Sequence, residues 1–63
     1  MAGDKRFADV QRMMQKAGYQ LARTRGSHHV FTKPGHPIIV IPVHNKKVKA
    51  VYVRQIEKLL GQE

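Results

Sequence analysis

The sequence predicts an α+β domain ordered helix, strand, strand, strand, helix, with a three-stranded antiparallel sheet and both helices on one face. Apolar residues recur at helical spacing near each end, the middle of the chain changes to a period of two, and glycines and prolines punctuate the junctions. A chain of 63 residues has apolar area for one core, because a domain of that size buries only about 60% of its unfolded surface. Residues 1–63 are therefore read as one domain, and the helices must share a face of the sheet.

Residues 1 to 3 are expected to fray, and Asp4 is placed to cap a first helix. Phe7, Val10, Met14 and Ala17 mark the apolar stripe of that helix, with Lys5, Arg6, Asp9, Gln11, Arg12, Gln15 and Lys16 around it. Gly18 supplies a left-handed stop. Tyr19, Leu21 and Arg23 then alternate with Gln20, Ala22 and Thr24, the signature of a half-buried strand.

Arg25, Gly26 and Ser27 read as a tight turn leading into the strand His28 to Thr32. Two registers are open to that strand. Burying Phe31 turns His29 inward and leaves His28 and Val30 on the other face, whereas the opposite choice exposes an aromatic at a cost of about 1.5–3 kcal/mol. The first register is expected, with His28 exposed. Lys33, Pro34, Gly35, His36 and Pro37 form a hairpin loop before Ile38, Ile39, Val40, Ile41 and Pro42, a third strand apolar on both faces. Helices on one side only would leave the other face wet, so a partner protein, another subunit in a homo-oligomer, or a covering loop is expected there. Val43 to Lys49 reads as a basic connector. A last helix is expected over about Tyr52 to Leu60, with Val53, Ile56, Leu59 and Leu60 inward, no good N-cap, and Gly61 as its stop.

Twelve Lys and Arg against four Asp and Glu give a formal charge of +8, a field suited to a phosphate-bearing partner, with a solvated surface as the alternative. There is no cysteine, which removes disulfides and thiolate zinc sites. No apolar run suits a signal peptide and none reaches 18 residues, so a cytoplasmic location without membrane contact is expected. The histidines 28, 29, 36 and 44 lack helical metal spacing, carboxylates are scarce, and no phosphate-binding glycine loop precedes a helix. Neither metal nor cofactor is expected. Imidazole with abundant cation suits metal-free RNA cleavage: neutral imidazole removes a 2′-hydroxyl proton, the oxygen attacks the adjacent phosphorus, and Lys or Arg offset the charge that develops. His28, at the mouth of its strand behind a glycine and a small hydroxyl residue, is the candidate base. A histidine so placed can equally be a surface or hydrogen-bonded structural residue.

Four segments narrow this choice: Lys16-Ala-Gly-Tyr19, Arg25-Gly-Ser-His28, Ile41-Pro-Val-His44 and Val53-Arg-Gln-Ile56. Together they resemble the HicA family of toxin-type mRNA interferases, over about Phe7 to Gly61. Gly-Ser-His followed at a distance by Pro-Val-His is the most specific part. The resemblance implies a fold like the double-stranded RNA-binding domain, metal-independent endoribonuclease activity on mRNA, and neutralisation by a HicB-like antitoxin that would shield the doubly apolar strand. It makes His28 the catalytic residue and gives Gly26 the shaping of its approach, and Ser27 between them is expected among the substrate contacts. His44 matches a second histidine, read as a phosphate contact, a general acid or a structural residue, and His29 is read as structural. Arg23 and Arg25 are expected near the substrate at His28. Lys46, Lys47 and Lys49 are expected either to grip RNA phosphates or to form a solvated linker. The connector carries Ala50, Val51 and Tyr52 where the family often has the Gly-Thr that opens the final helix. A non-catalytic RNA-binding module would share this fold and charge. DNA binding is weaker because neither helix has a basic recognition face.

Overall fold

The computed structural model describes residues 3–61, in the order β1 (Lys5–Arg6), α1 (Phe7–Lys16), β2 (Gln20–Arg25), β3 (His28–Thr32), β4 (Ile39–Pro42), β5 (Lys47–Val48) and α2 (Ala50–Leu59). Strands β2, β3 and β4 form an antiparallel sheet with β3 in the centre, and β1 pairs antiparallel with β5 in a separate ribbon. The expected three-stranded sheet and two helices are thus present. The thin dimension is 15 Å, as one sheet and one helix layer require when layers pack about 10 Å apart.

Core side chains come from every layer: Val10 and Met14 of α1, Tyr19, Phe31 of β3, Ile41 of β4, Val48 of β5, and Val53 and Ile56 of α2. Both helices therefore cover the sheet face that carries Phe31 and Ile41. Phe31, Met14, Val10, Val48 and Val53 are fully buried. At about 1.5–3 kcal/mol for each large apolar side chain removed from water, this cluster is what opposes the chain entropy of folding.

Helix α1 ends as Gly18 allows. Gly18 sits at φ 93°, its amide donates to the Gln15 carbonyl, and Tyr19 N donates to Met14 O at 2.9 Å. This is a Schellman closure, with Met14 and Tyr19 both in the core beside it. Gly61, at φ 71°, ends α2 in the same left-handed conformation.

The structure corrects the reading of both helix starts. Lys5 and Arg6 are extended rather than helical, with Lys5 opposite Val48 and Arg6 opposite Lys47. Asp4 does not cap α1; its Oδ1 accepts the Ala50 amide at 2.9 Å, in the first turn of α2. Helix α2 consequently begins at Ala50 rather than near Tyr52. Val53 and Ile56 are buried as expected, whereas Leu59 is 67% exposed because the helix ends with that residue facing away from the core. The connector is ordered too. His44 and Lys47 exchange both backbone hydrogen bonds around Asn45 and Lys46, at φ 51° and 62°, which is the pattern of a type I′ hairpin turn. The expected fraying at the start falls mostly on Met1 and Ala2, which lie outside the described residues.

Strand β2 also departs from simple alternation. Leu21 lies opposite Phe31 and Arg23 opposite Val30, so Ala22 is the extra residue of a β-bulge. Leu21 packs against the core, and Arg23 is shifted to the opposite face instead of sharing Leu21's. The third strand of the sheet begins at Ile39, leaving Ile38 outside it.

Candidate active site

Gly26 and Ser27 alone connect β2 to β3, since Arg25 and His28 are already paired across the ladder. Gly26 takes φ 56° and is the only one of the two with positive φ, the arrangement of a II′ hairpin, in which glycine leads. No atom lies within 4 Å of a Cβ built on Gly26, so conformation rather than crowding calls for glycine here. The turn is two residues long, one fewer than expected.

The Ser27 carbonyl is the junction that holds this turn to the rest of the fold. It accepts the Val43 amide at 2.8 Å, just beyond the end of β4. His29 Nδ1 lies 3.2 Å from the same oxygen, and with a carbonyl as partner that nitrogen must carry the proton. The His29 ring packs on Phe7 at 4.3 Å between centroids, and Phe7 in turn lies 6.2 Å from Phe31. His29 thus faces the core side while His28 is exposed on the other, which is the register expected from burying Phe31.

On the helix-free face the ladder brings sequence-distant groups together. His28 stands between Arg25 of β2 and Pro42 of β4, and Val30 between Arg23 and Val40. Directly paired residues share a face, with Cβ atoms about 4.5–5.5 Å apart. Arg25 is therefore the immediate neighbour of His28, and Arg23 is one step along the same face; both are exposed. It is the bulge at Ala22 that sets both arginines on this side. Val30 is buried, while Val40 and Ile38 are 47% and 60% exposed.

His44 is exposed and follows Val43, so the Val43–Ser27 bond anchors its segment beside the turn that carries His28. Lys46 and Lys47 continue from there into the type I′ turn and β5, both exposed. His36 is elsewhere: its Nδ1 lies 3.0 Å from the Pro34 carbonyl and its ring 6.3 Å from that of Tyr19. Among the described residues no three His, Asp or Glu side chains are grouped as metal ligands. A shallow depression of about 350 Å³ at Gln55, Lys58 and Leu59 includes none of the histidines.

A turn that projects one histidine from a strand mouth, with arginine opposite and a second histidine tethered nearby, is the arrangement on which a family comparison bears. The sequence model described as the HicA toxin of bacterial toxin–antitoxin systems matches residues 7–62. The chain belongs to the HicA toxin family. Membership makes this HicA chain a toxin by type and implies an antitoxin as its partner. A search of the curated proteins finds none that matches it. No helix among the described residues of the HicA chain is long and apolar enough to cross a membrane.

Sequence reasoning missed one group beside this site. Lys5 and Arg6 belong to the β1–β5 ribbon together with Lys47, not to α1. No local signal marks them, because their strand exists only through pairing with residues more than forty positions away.

Proposed function

We propose that this HicA-family chain is a single-domain, metal-independent endoribonuclease that acts on mRNA in the cytoplasm. The observation that carries the reading is the pairing of exposed His28 with Arg25 across a two-residue turn, with His44 anchored beside it. In this mechanism a neutral His28 imidazole takes the proton of a ribose 2′-hydroxyl, and the oxygen attacks the adjacent phosphorus. The bond to the 5′-oxygen breaks, that oxygen takes a proton from water or from His44, and a 2′,3′-cyclic phosphate and a 5′-hydroxyl result. Arg25 and Arg23 offset charge developing on the phosphate oxygens. Gly26 and Ser27 hold the backbone back from the substrate, and Lys46 and Lys47 engage its backbone. DNA, lacking the internal nucleophile, is inert.

The proposed antitoxin is HicB-like and covers the helix-free face, where Ile38 and Val40 are exposed beside the arginines. Protection of the Ile38 to Ile41 amides from hydrogen exchange in the complex is the expected result, and unchanged exchange would place the antitoxin elsewhere.

Cleavage of a mixed single-stranded RNA in EDTA, by the parent protein and by His28→Ala, tests the enzyme. His28 is exposed, so the variant should fold within about 0.5 kcal/mol of the parent. Activity in the parent alone, with 2′,3′-cyclic phosphate or 3′-phosphate ends, is expected. Ends carrying a 3′-hydroxyl would overturn the imidazole mechanism, and binding without cleavage by either protein would favour a non-catalytic RNA-binding module.

A further inference from the structure

We propose that the β1–β5 ribbon is a second phosphate-binding site, taking backbone phosphates of single-stranded RNA outside the nucleotides held at His28, with Arg6 and Lys47 as its clamp. The inference rests on the reading of RNA as substrate.

Arg6 and Lys47 are directly opposed across a ribbon only two residues long in each strand. Both are exposed. Like charges in directly opposed positions work against pairing. The nearest acid, Asp9 Oδ2, stands 3.6 Å from Arg6 Nε in an exposed contact, and such surface pairs contribute little. An anion lodged between the two cations would convert their repulsion into attraction.

Lys46 adds an independent observation. It occupies the second left-handed position of the Asn45–Lys46 turn at φ 62°, where glycine is favoured and a side chain costs roughly 1 kcal/mol. The turn therefore presents a lysine at the expense of its own stability. Lys49 is exposed and alternates with buried Val48, so it lies on the same side of the chain as Lys47. The amide of Ala50 is already taken by Asp4. Side chains of the ribbon, rather than this helix N-terminus, are left to hold the phosphate.

The position of the ribbon suggests which phosphates these are. The chain runs from Pro42, paired with His28, through Val43, bonded to Ser27, and His44 into the turn. A strand of RNA seated at His28 can thus continue over His44 and Lys46 to Arg6 and Lys47. This is a track for a polyanion longer than the cleaved dinucleotide.

Fluorescence anisotropy in the non-cleaving His28→Ala protein, with labelled single-stranded RNAs of about 4 and about 16 nucleotides, tests the site. For the long RNA, Arg6→Gln and Lys47→Gln should each lower the slope of log affinity against log salt by about 0.7. Over a fourfold rise in salt that is about 2.6-fold less loss of binding per contact removed. The short RNA should show the same slope in the Arg6→Gln protein as in its parent. If the His28→Ala protein binds the long RNA and both variants keep its slope, the ribbon is solvated or faces a protein, and this inference falls while the RNA reading stands. Equal changes on both RNAs would merge the ribbon with the His28 site and overturn a separate one. Absence of salt-dependent binding before either ribbon substitution overturns the inference and the RNA reading together. Removing one of two opposed charges should not lower the melting temperature, and either variant alone suffices should the other fail to fold.

Discussion

Asp4 Oδ1 accepts the backbone amide of Ala50 at 2.9 Å, so the N-terminal helix cap missing from the sequence around α2 is supplied from 46 positions upstream. Helix α2 has no side-chain cap of its own at Lys49, and an unpaired first-turn amide is one of the groups that limit short helices.

Asp4→Ala should destabilise the fold by about 1 kcal/mol, lowering the melting temperature by about 4–8 °C for a domain of this size. Asp4→Asn keeps an acceptor and should retain most of the stability. Thermal melts followed by circular dichroism check both; equal losses for the two variants would mean that the carboxylate's charge, not the hydrogen bond, matters.

Lys46→Gly should separate stability from binding. Relief of the left-handed side chain should stabilise the turn by about 0.5–1 kcal/mol, while RNA affinity falls because a cation is lost. Denaturant unfolding and anisotropy on the same samples would show the opposed changes.

Gly26→Ala places a Cβ in open space but in a left-handed conformation. The expected cost is about 1–2 kcal/mol, accompanied by reduced RNA cleavage because the turn presents His28. A variant with full stability and full activity would show that the turn tolerates a different backbone geometry.

Phe31→Ala removes a fully buried aromatic from the centre of the sheet. Losses of about 3–5 kcal/mol are usual for such a change, and the whole stability of small domains is about 5–15 kcal/mol. The variant should be largely unfolded at 37 °C, judged by the near-random far-ultraviolet spectrum it would show.

The elements that local pattern controls were legible before the structure. Met14 and Val10 lie on a helical stripe, Gly18 ends that helix, and the demand that Phe31 be buried predicts both the exposure of His28 and the inward turn of His29. What escaped has a nonlocal cause in each case. Asp4 stands where a cap for α1 would stand, and only the pairing of Lys5 with Val48 carries it to α2 instead. Leu21 and Arg23 obey an alternation that the bulge at Ala22 interrupts, and no glycine marks the place. The location of His28 on an exposed strand mouth could be read from its neighbours, whereas the company of Arg25 and the tether from Ser27 to Val43 depend on register and on a backbone contact across the sheet. Leu59 sits beside an apolar stripe in sequence yet points away from the core, whose stripe runs through Val53, Ile56 and Leu60 instead.

The bulge at Ala22 divides β2 into two halves with separate duties. Upstream, Leu21 answers to the interior; downstream, Arg23 and Arg25 answer to whatever lies outside. Substitutions at 23 and 25 can therefore change the outer face of the sheet without disturbing the packing around Phe31. Were Ala22 paired in simple alternation instead of bulged, Leu21, Arg23 and Arg25 would share one face, forcing a choice between keeping leucine inside and keeping the arginines beside His28.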